Sequence, residues 1–143
     1  MRHALPPIVK LAERLMADIE IAVAHFPRRH RYTVGARLSE QIFEVTFHAH
    51  EAWRDREHRG EHQGQLSISI DRLKLRMQLA QQVHAFASFA QFEALARVAA
   101  DLGKQCGAWQ SKRSLKRQNE QEASPAQRPQ ILSSHAASSE ANP

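Results

Sequence analysis

Nine histidines and one cysteine are the side chains of this 143-residue sequence best suited to acid–base or metal chemistry. His48 and His50 are two positions apart, which places them about 200° apart around a helix, so they cannot bind one ion together. The segment "HEAWR", which begins at His50, lacks the second histidine of a zinc-protease motif. Cys106 is the only cysteine, which excludes an intrachain disulfide and a multi-cysteine metal site. Its place in an apolar stripe predicts a core residue.

The other histidines and the carboxylates indicate surface or helix-end positions. We expect His58 and His62 to be mobile side chains in a polar loop. His84 interrupts an apolar stripe in the last turn of a predicted helix, so we expect its ring to pack at the end of a bundle with its polar edge in water. Most acids have a basic neighbour at helical spacing, such as Glu13 with Lys10, as in ordinary surface pairs. With no glycine-rich phosphate loop and no nucleophile motif, the sequence predicts no enzyme, no metal and no cofactor.

The basic residues carry more functional information. The net charge is +5 and the pI is about 10.0, a balance that favours a polyanionic partner. The stretch "FPRRHRYTVGARL", from Phe26 to Leu38, has four arginines, one histidine and no acid. Further basic residues share faces of the third and fourth predicted helices. The candidate residues for binding nucleic acid are Arg28, Arg29, Arg31, Arg72, Lys74, Arg76, Arg97 and Lys104. The alternative for each is a solvated charged surface that binds nothing.

Four apolar stripes of heptad spacing predict four amphipathic helices. Their expected bounds are about Pro6 to Phe26, Val34 to Arg56, Ser67 or Ser69 to Ala87, and Ala90 to Lys112. Pro27 should stop the first helix and Thr33 should cap the second, so the arginine-rich stretch is predicted to be a turn that also presents charge. "HRGEHQGQ" is expected to be a polar loop, and Ser88 the cap of the fourth helix.

Short connections between helices of this length predict an all-α fold, an up-down-up-down antiparallel four-helix bundle over residues 1–113. Residues 114–143 are polar and aperiodic, so we expect a disordered tail. No apolar run approaches the length of a membrane span, and "MRHALPPIVK" lacks the pattern of a signal peptide. The sequence therefore predicts a soluble, cytoplasmic protein.

Two glycines fall inside the fourth predicted helix, where each costs about 0.8–1.0 kcal/mol relative to alanine. A close approach of another helix to Gly103 and Gly107, within the chain or across a subunit boundary, would offset this cost. Trp109 keeps the heptad register, which indicates that the helix continues through both glycines. Four aromatic residues lie off the main stripes: Phe43, Phe47, Trp53 and Phe89. They predict a second apolar surface, and such surfaces usually mark a partner site.

Three segments resemble a superfamily of small bacterial four-helix-bundle proteins, which includes the proteins encoded in ribosomal RNA intervening sequences. "FPRRHRYTVGARL" resembles the "FP-basic-x-x-R-Y/F-T-L-G" segment between their first two helices. "LGKQCGAWQSK" resembles the "G-R-x-x-G-x-W" ending of one branch, the accessory variability determinant proteins of diversity-generating retroelements. "LKLRMQLA" is similar to the arginine-bearing third helix of that branch. The resemblance covers about residues 5–113, and the sequence departs from it at Gln105, Cys106, Ala108 and the long tail.

The resemblance implies a homopentameric barrel with a positively charged surface that binds RNA, DNA and the reverse transcriptase of the retroelement. In that family the complex makes adenine-mutagenised complementary DNA from a template-repeat RNA. By position, Arg72 and Arg76 match the basic pair of the third helix, and Lys104 stands where the family often has arginine. The last-helix motif is matched by Gly103, Gly107 and Trp109. We therefore expect an accessory protein that binds nucleic acid with little sequence preference and has no membrane or small-molecule partner. The alternative is a self-assembling interaction module that contacts only protein.

Overall fold

The computed structural model describes residues 4–122. In chain order its elements are α1 (Pro7–Ala24), the single turn α2 (Arg28–His30), a π-helical turn (Arg31–Gly35), α3 (Ala36–Arg54), α4 (Arg59–Gln82) and α5 (Phe89–Glu122). Every regular element among these residues is helical, which confirms the all-α prediction, and four of the helices are long. Internal contacts divide the chain into a first unit, which ends at Trp109, and a second unit, which begins at Gln110. None of the helices in this part of the chain has the length and apolar character needed to cross a bilayer.

The predicted apolar stripes form the core of the first unit. Leu15, Leu38, Leu73 and Leu102, one from each long helix, are completely buried. Burying a leucine side chain is worth about 1.5–3 kcal/mol, so these stripes supply most of the drive to pack the helices together. Phe92 and Trp109 are partly buried against this core.

Contacts between α1 and α3 show that these helices run in opposite directions. The Thr46 hydroxyl of α3 donates to the carbonyl of Ala12 in α1, at 3.3 Å. At the other end of the pair, the Cα of Gly35 faces the side chain of Val23. Residue numbers therefore fall along α1 as they rise along α3.

Polar contacts join α4 to both of its neighbours in the same antiparallel sense. Near the start of α4, Arg59 donates from Nε to the carbonyl of Ala52, at 2.7 Å. The Cys106 thiol of α5 donates to the carbonyl of Gln63, at 3.7 Å. Further along α4, Ile70 lies beside Gly103.

The arginine-rich stretch is helical, and the prediction of a turn is wrong. The bend after α1 is confined to residues 25–27, and Pro27, with φ of −52°, immediately precedes α2. Proline cannot continue the helix before it, but its fixed φ suits the entry to a new one. Thr33 is not an N-cap: its hydroxyl donates to the carbonyls of Arg29 and His30, both at 3.3 Å, inside a continuous helical path. The arginines therefore project from helical turns.

The predicted polar loop is also helical, because α4 begins at Arg59 rather than near Ser67. The Arg59 guanidinium donates to the carbonyls of Ala52 and Trp53. These carbonyls lie in the last turn of α3, where carbonyl groups lack a partner within the helix. Gln63 is completely buried. These tertiary contacts outweigh the low helix propensity of the two glycines in the segment.

At its other end, α4 stops at Gln82, earlier than predicted, because His84 adopts a left-handed conformation with φ of 59°. The His84 N–H donates to the carbonyl of Gln81 and the Ala85 N–H to that of Ala80, at 3.0 and 2.9 Å. This bond pair is the Schellman helix ending. His84 is consequently exposed beyond the helix end, not packed in a core stripe.

Ser88 caps α5, as predicted: its hydroxyl accepts the N–H of Gln91, at 3.1 Å. The helix then continues to Glu122, so its predicted end at Lys112 is wrong and residues 114–122 of the predicted tail are helical. Residues 111–122 contain neither glycine nor proline and are mostly Lys, Arg, Gln and Glu, which favour helix. The rest of the predicted tail, 123–143, lies outside the described residues.

Candidate nucleic-acid interface

The eight candidate basic residues fall into two classes by exposure. The exposed ones are Arg28, Arg29, Arg72, Arg97 and Lys104. The partly buried ones are Arg31, Lys74 and Arg76. An exposed cation can reach a phosphate without rearrangement of the fold, so the exposed class contains the stronger candidates.

Arg76 belongs to a polar network between α3 and α4. Its Nε donates to Oε1 of Gln41, at 2.9 Å, and Nε2 of Gln41 donates to Oγ of Ser69, also at 2.9 Å. Gln41 and Ser69 are both buried. A buried amide left without partners costs about 1–3 kcal/mol, so Arg76 supports the fold whatever else it binds. Arg72, one turn earlier, has no such role.

The other two partly buried cations also lie against the protein. Nη2 of Arg31 donates to the carbonyl of Phe26, at 3.3 Å, and its buried Nε has no hydrogen-bond partner. A methyl group added at Gly103 would come within 2.9 Å of Nζ of Lys74. The glycine therefore leaves room for the lysine ammonium of α4 beside α5.

The second glycine of the last-helix motif has no such neighbour. A methyl group at Gly107 would meet nothing within 4 Å, and the residue is exposed. Packing inside the described part of the chain therefore does not explain Gly107, and the subunit-boundary alternative stays a prediction. Trp109 packs at the edge of the core, and Cζ of Arg59 lies 5.6 Å from the centroid of its ring, a cation–π contact between α4 and α5.

Exposed cations on α5 and at the start of the α2–α3 helical path have few acidic partners. Arg97 lies 3.5 Å from Glu93, but both side chains are largely exposed, so this ion pair is worth little. Among the described residues, no carboxylate pairs with Arg28, Arg29 or Lys104. These cations are available to an external anion.

The second unit adds basic residues that sequence reasoning assigned to a disordered tail. Lys112, Lys116 and Arg117 are exposed on α5, and no acid occurs in residues 110–119. Lys116 follows Trp109 by seven residues and so occupies the same heptad register. A register position that is apolar earlier in α5 is therefore charged at this point. The run of strong helix formers in residues 111–122 could have predicted this helical extension of α5 from the sequence.

The predicted second apolar surface is partly confirmed. Phe43, Phe47 and Phe89 are exposed, whereas Trp53 packs at the edge of the core. Sequence reasoning missed six other exposed apolar residues: Ile21, Tyr32, Ile68, Leu75, Leu79 and Leu115. Three of them, on α4, repeat at steps of seven and four, a second helical series that the search for core stripes passed over.

Asp55, His58 and His62 form the main cluster of titratable groups, at the junction of α3 and α4. Nδ1 of His58 and Nε2 of His62 lie 3.1 and 3.0 Å from Oδ2 of Asp55. The hydrogen bond from His62 holds the pKa of Asp55 below its usual value, and the bond to Asp55 raises the pKa of His58. His58 and His62 are therefore tied to a carboxylate and are not the mobile loop side chains that the sequence predicted.

The described residues contain no candidate metal site, and the one cysteine is buried. In residues 4–122, no three histidine, cysteine or carboxylate side chains converge as they would around a metal ion. Burial raises the pKa of the Cys106 thiol to about 11, so at neutral pH it is an unreactive core group.

Comparison with known proteins supplies no assignment: no protein-family model, no curated protein and no solved structure matches this chain. The exposed basic side chains and the exposed apolar side chains are the features of the described residues that bear on function.

Proposed function

We propose that this protein is a non-enzymatic, nucleic-acid-binding accessory protein of a diversity-generating retroelement in the bacterial cytoplasm. In this role it binds the reverse transcriptase and the template RNA and supports mutagenic synthesis of complementary DNA. The observation that carries the proposal is the set of exposed cations on the α2–α3 path and on α5, of which Arg28, Arg29 and Lys104 have no acidic partner among the described residues. The resemblance of "FPRRHRYTVGARL" and "LGKQCGAWQSK" to family motifs gives the retroelement context.

Exposed cations suit the phosphate backbone better than they suit a defined base sequence. Neutralising phosphates releases condensed counterions, and this gain does not depend on sequence. Base-specific readout instead needs side chains held in fixed positions against base edges. Because these arginine and lysine side chains are long and exposed, we expect binding to RNA and DNA with little sequence preference.

The charge hypothesis is tested with two variants of equal net charge. The first replaces Arg28, Arg29, Arg97 and Lys104 by alanine. The control replaces four basic residues outside the candidate set: Lys10, Arg14, Arg54 and Arg56. Binding of a labelled RNA is measured by fluorescence anisotropy. The first variant should bind much more weakly than the control, because position matters beyond net charge; equal losses in both would assign the effect to overall charge and contradict the proposed surface.

A second candidate function rests on the exposed apolar side chains. Phe43 and Phe47 on α3, and Leu75 and Leu79 on α4, are large apolar side chains that stay exposed, and exposed apolar patches often mark interaction surfaces. They favour self-assembly, and we propose that the four long helices form an up-down-up-down bundle that assembles into a homopentamer. Assembly without nucleic-acid binding would make the protein a structural interaction module. Light scattering distinguishes a single chain from an assembly. A mass near the 16.3 kDa of one chain at micromolar concentration would contradict assembly.

A further inference from the structure

Among the described residues, the most exposed large apolar side chain belongs to the arginine-rich stretch. Tyr32 lies in the π-helical turn and is 72% exposed. A tyrosine packed for stability alone would bury its ring. This ring faces solvent instead, and the stretch around it has no acid between Phe26 and Glu40.

Cations surround Tyr32 along the helical path. Arg28 and Arg29 precede it by four and three residues, a spacing that puts side chains on one face of a helix. Arg37 follows it by five residues and lies in the first turn of α3. All three arginines are exposed, and no carboxylate among the described residues pairs with them. An exposed tyrosine therefore has exposed arginines both before and after it along the helical path.

The π-helical turn has an identifiable structural basis. The Thr33 hydroxyl donates to the carbonyls of Arg29 and His30, and Arg31 turns inward to the carbonyl of Phe26. Gly35 lies against the side chains at the end of α1, which anchors the turn on the core. The turn is thus fixed from the inside, while Tyr32 stays exposed on the outside.

We propose that Tyr32 is a stacking platform for a base of single-stranded nucleic acid, with Arg28, Arg29 and Arg37 binding the adjacent phosphates. Single-stranded RNA and DNA expose the faces of their bases, and stacking on an aromatic side chain tolerates every base. A duplex hides those faces between neighbouring base pairs, so it can use only the arginines. This inference rests on the proposed nucleic-acid function and deepens it by naming the strand state that the site prefers.

An exposed ring next to cations could also bind a protein partner. The residues around the ring decide between a protein and a nucleic acid. Protein interfaces have an apolar centre that excludes water around their key residues. The neighbours of Tyr32 at helical spacing are instead charged arginines and the small residue Ala36. That surrounding suits a phosphate backbone.

The test uses the full-length protein and three variants: Tyr32→Ala, Tyr32→Phe and the control Ile21→Ala. Ile21 is also a large exposed apolar side chain, but it lies on α1 and the residue three positions before it is the acid Asp18. Affinities for a single-stranded RNA and for a duplex DNA of equal length are measured by fluorescence anisotropy at one fixed salt concentration. Scattering is recorded on the same samples to follow the assembly state.

Tyr32→Ala should weaken single-strand binding by roughly 5- to 150-fold, the effect of losing one base–aromatic stack of about 1–3 kcal/mol. Duplex binding should change by less than about twofold, because its arginine contacts remain. Tyr32→Phe keeps the ring and should bind as the parent does, and so should Ile21→Ala.

Three outcomes would overturn the stacking assignment: unchanged single-strand binding in Tyr32→Ala, an equal loss for single strand and duplex, or a changed assembly state. The last would make Tyr32 a subunit or folding contact. If the parent protein binds neither nucleic acid, the proposed function itself fails. If the parent binds both and Tyr32→Ala binds as the parent does, only the stacking site fails.

Discussion

Gly35→Ala should destabilise the protein, although alanine is the better helix former. The backbone at Gly35 has φ of −63° and ψ of −48°, which any residue adopts, so the glycine is not needed for its conformational freedom. It is needed for space. A methyl group there would lie 2.9 Å from Cγ1 of Val23, 3.1 Å from the carbonyl oxygen of His30 and 3.2 Å from Cδ2 of Phe26.

The magnitude follows from two opposing effects. Forcing an extra methyl group into packed surroundings costs about 1–3 kcal/mol. Alanine regains about 0.8–1.0 kcal/mol of helix propensity. Phe26 is fully buried and the His30 oxygen belongs to the backbone, so neither can move aside cheaply. The cost therefore falls in the upper part of its range, and we expect a net loss of about 1–2 kcal/mol.

Urea unfolding followed by circular dichroism measures this difference, and Gly64→Ala is the matched control. Gly64 lies inside α4, and a methyl group there would meet nothing within 4 Å. Gly64→Ala should gain about 0.8–1.0 kcal/mol, because only helix propensity changes. The two variants should therefore move the unfolding midpoint in opposite directions. A Gly35→Ala protein at least as stable as the parent would refute the packing explanation.

Three other predictions concern the core, a helix end and a charged cluster. Leu73→Ala should cost about 2–5 kcal/mol, whereas Gln78→Ala, on the exposed side of the same helix, should stay within about 0.5 kcal/mol; similar urea midpoints for the two would show that the helix faces are misassigned. His84→Gly should raise stability by about 1 kcal/mol in thermal unfolding, because glycine adopts the left-handed conformation without strain. Because Asp55 raises the pKa of His58, the stabilisation from this pair is complete below pH 6.5 and is lost as pH rises through the raised pKa. The parent should thus lose more stability than His58→Ala when pH rises from about 6 to about 8, and equal losses would rule out this linkage.

The apolar stripes could be predicted from the sequence because heptad spacing is a local property that burial follows directly. Val45 and Ala99, for example, are completely buried where the register placed them. The start of α4 could not be predicted, because tertiary contacts decide it. Arg59 starts α4 by satisfying carbonyls at the end of α3, and no local pattern announces that bond. Glycines and polar residues in the same segment pointed to a loop.

The candidate site was predictable as a set of charges but not as a surface. Arg76 and Gln41 are separated by 35 residues in sequence, so their hydrogen bond depends on how α3 packs on α4. Sequence spacing placed Arg72 and Arg76 together, yet only Arg72 is exposed. The exposure of Tyr32 depends on the π-helical turn, which has no reliable sequence signature.

The claim that exposed cations bind the nucleic-acid backbone can be tested by a salt titration of the unmodified protein. Its affinity for a labelled single-stranded RNA is measured by fluorescence anisotropy at several salt concentrations between about 50 and 200 mM. The logarithm of the association constant should fall linearly with the logarithm of salt concentration, with a slope of about −0.7 for each phosphate neutralised. Three or more contacts would give a slope of about −2 or steeper. No binding at about 50 mM salt, or an affinity that does not change with salt, would contradict the claim.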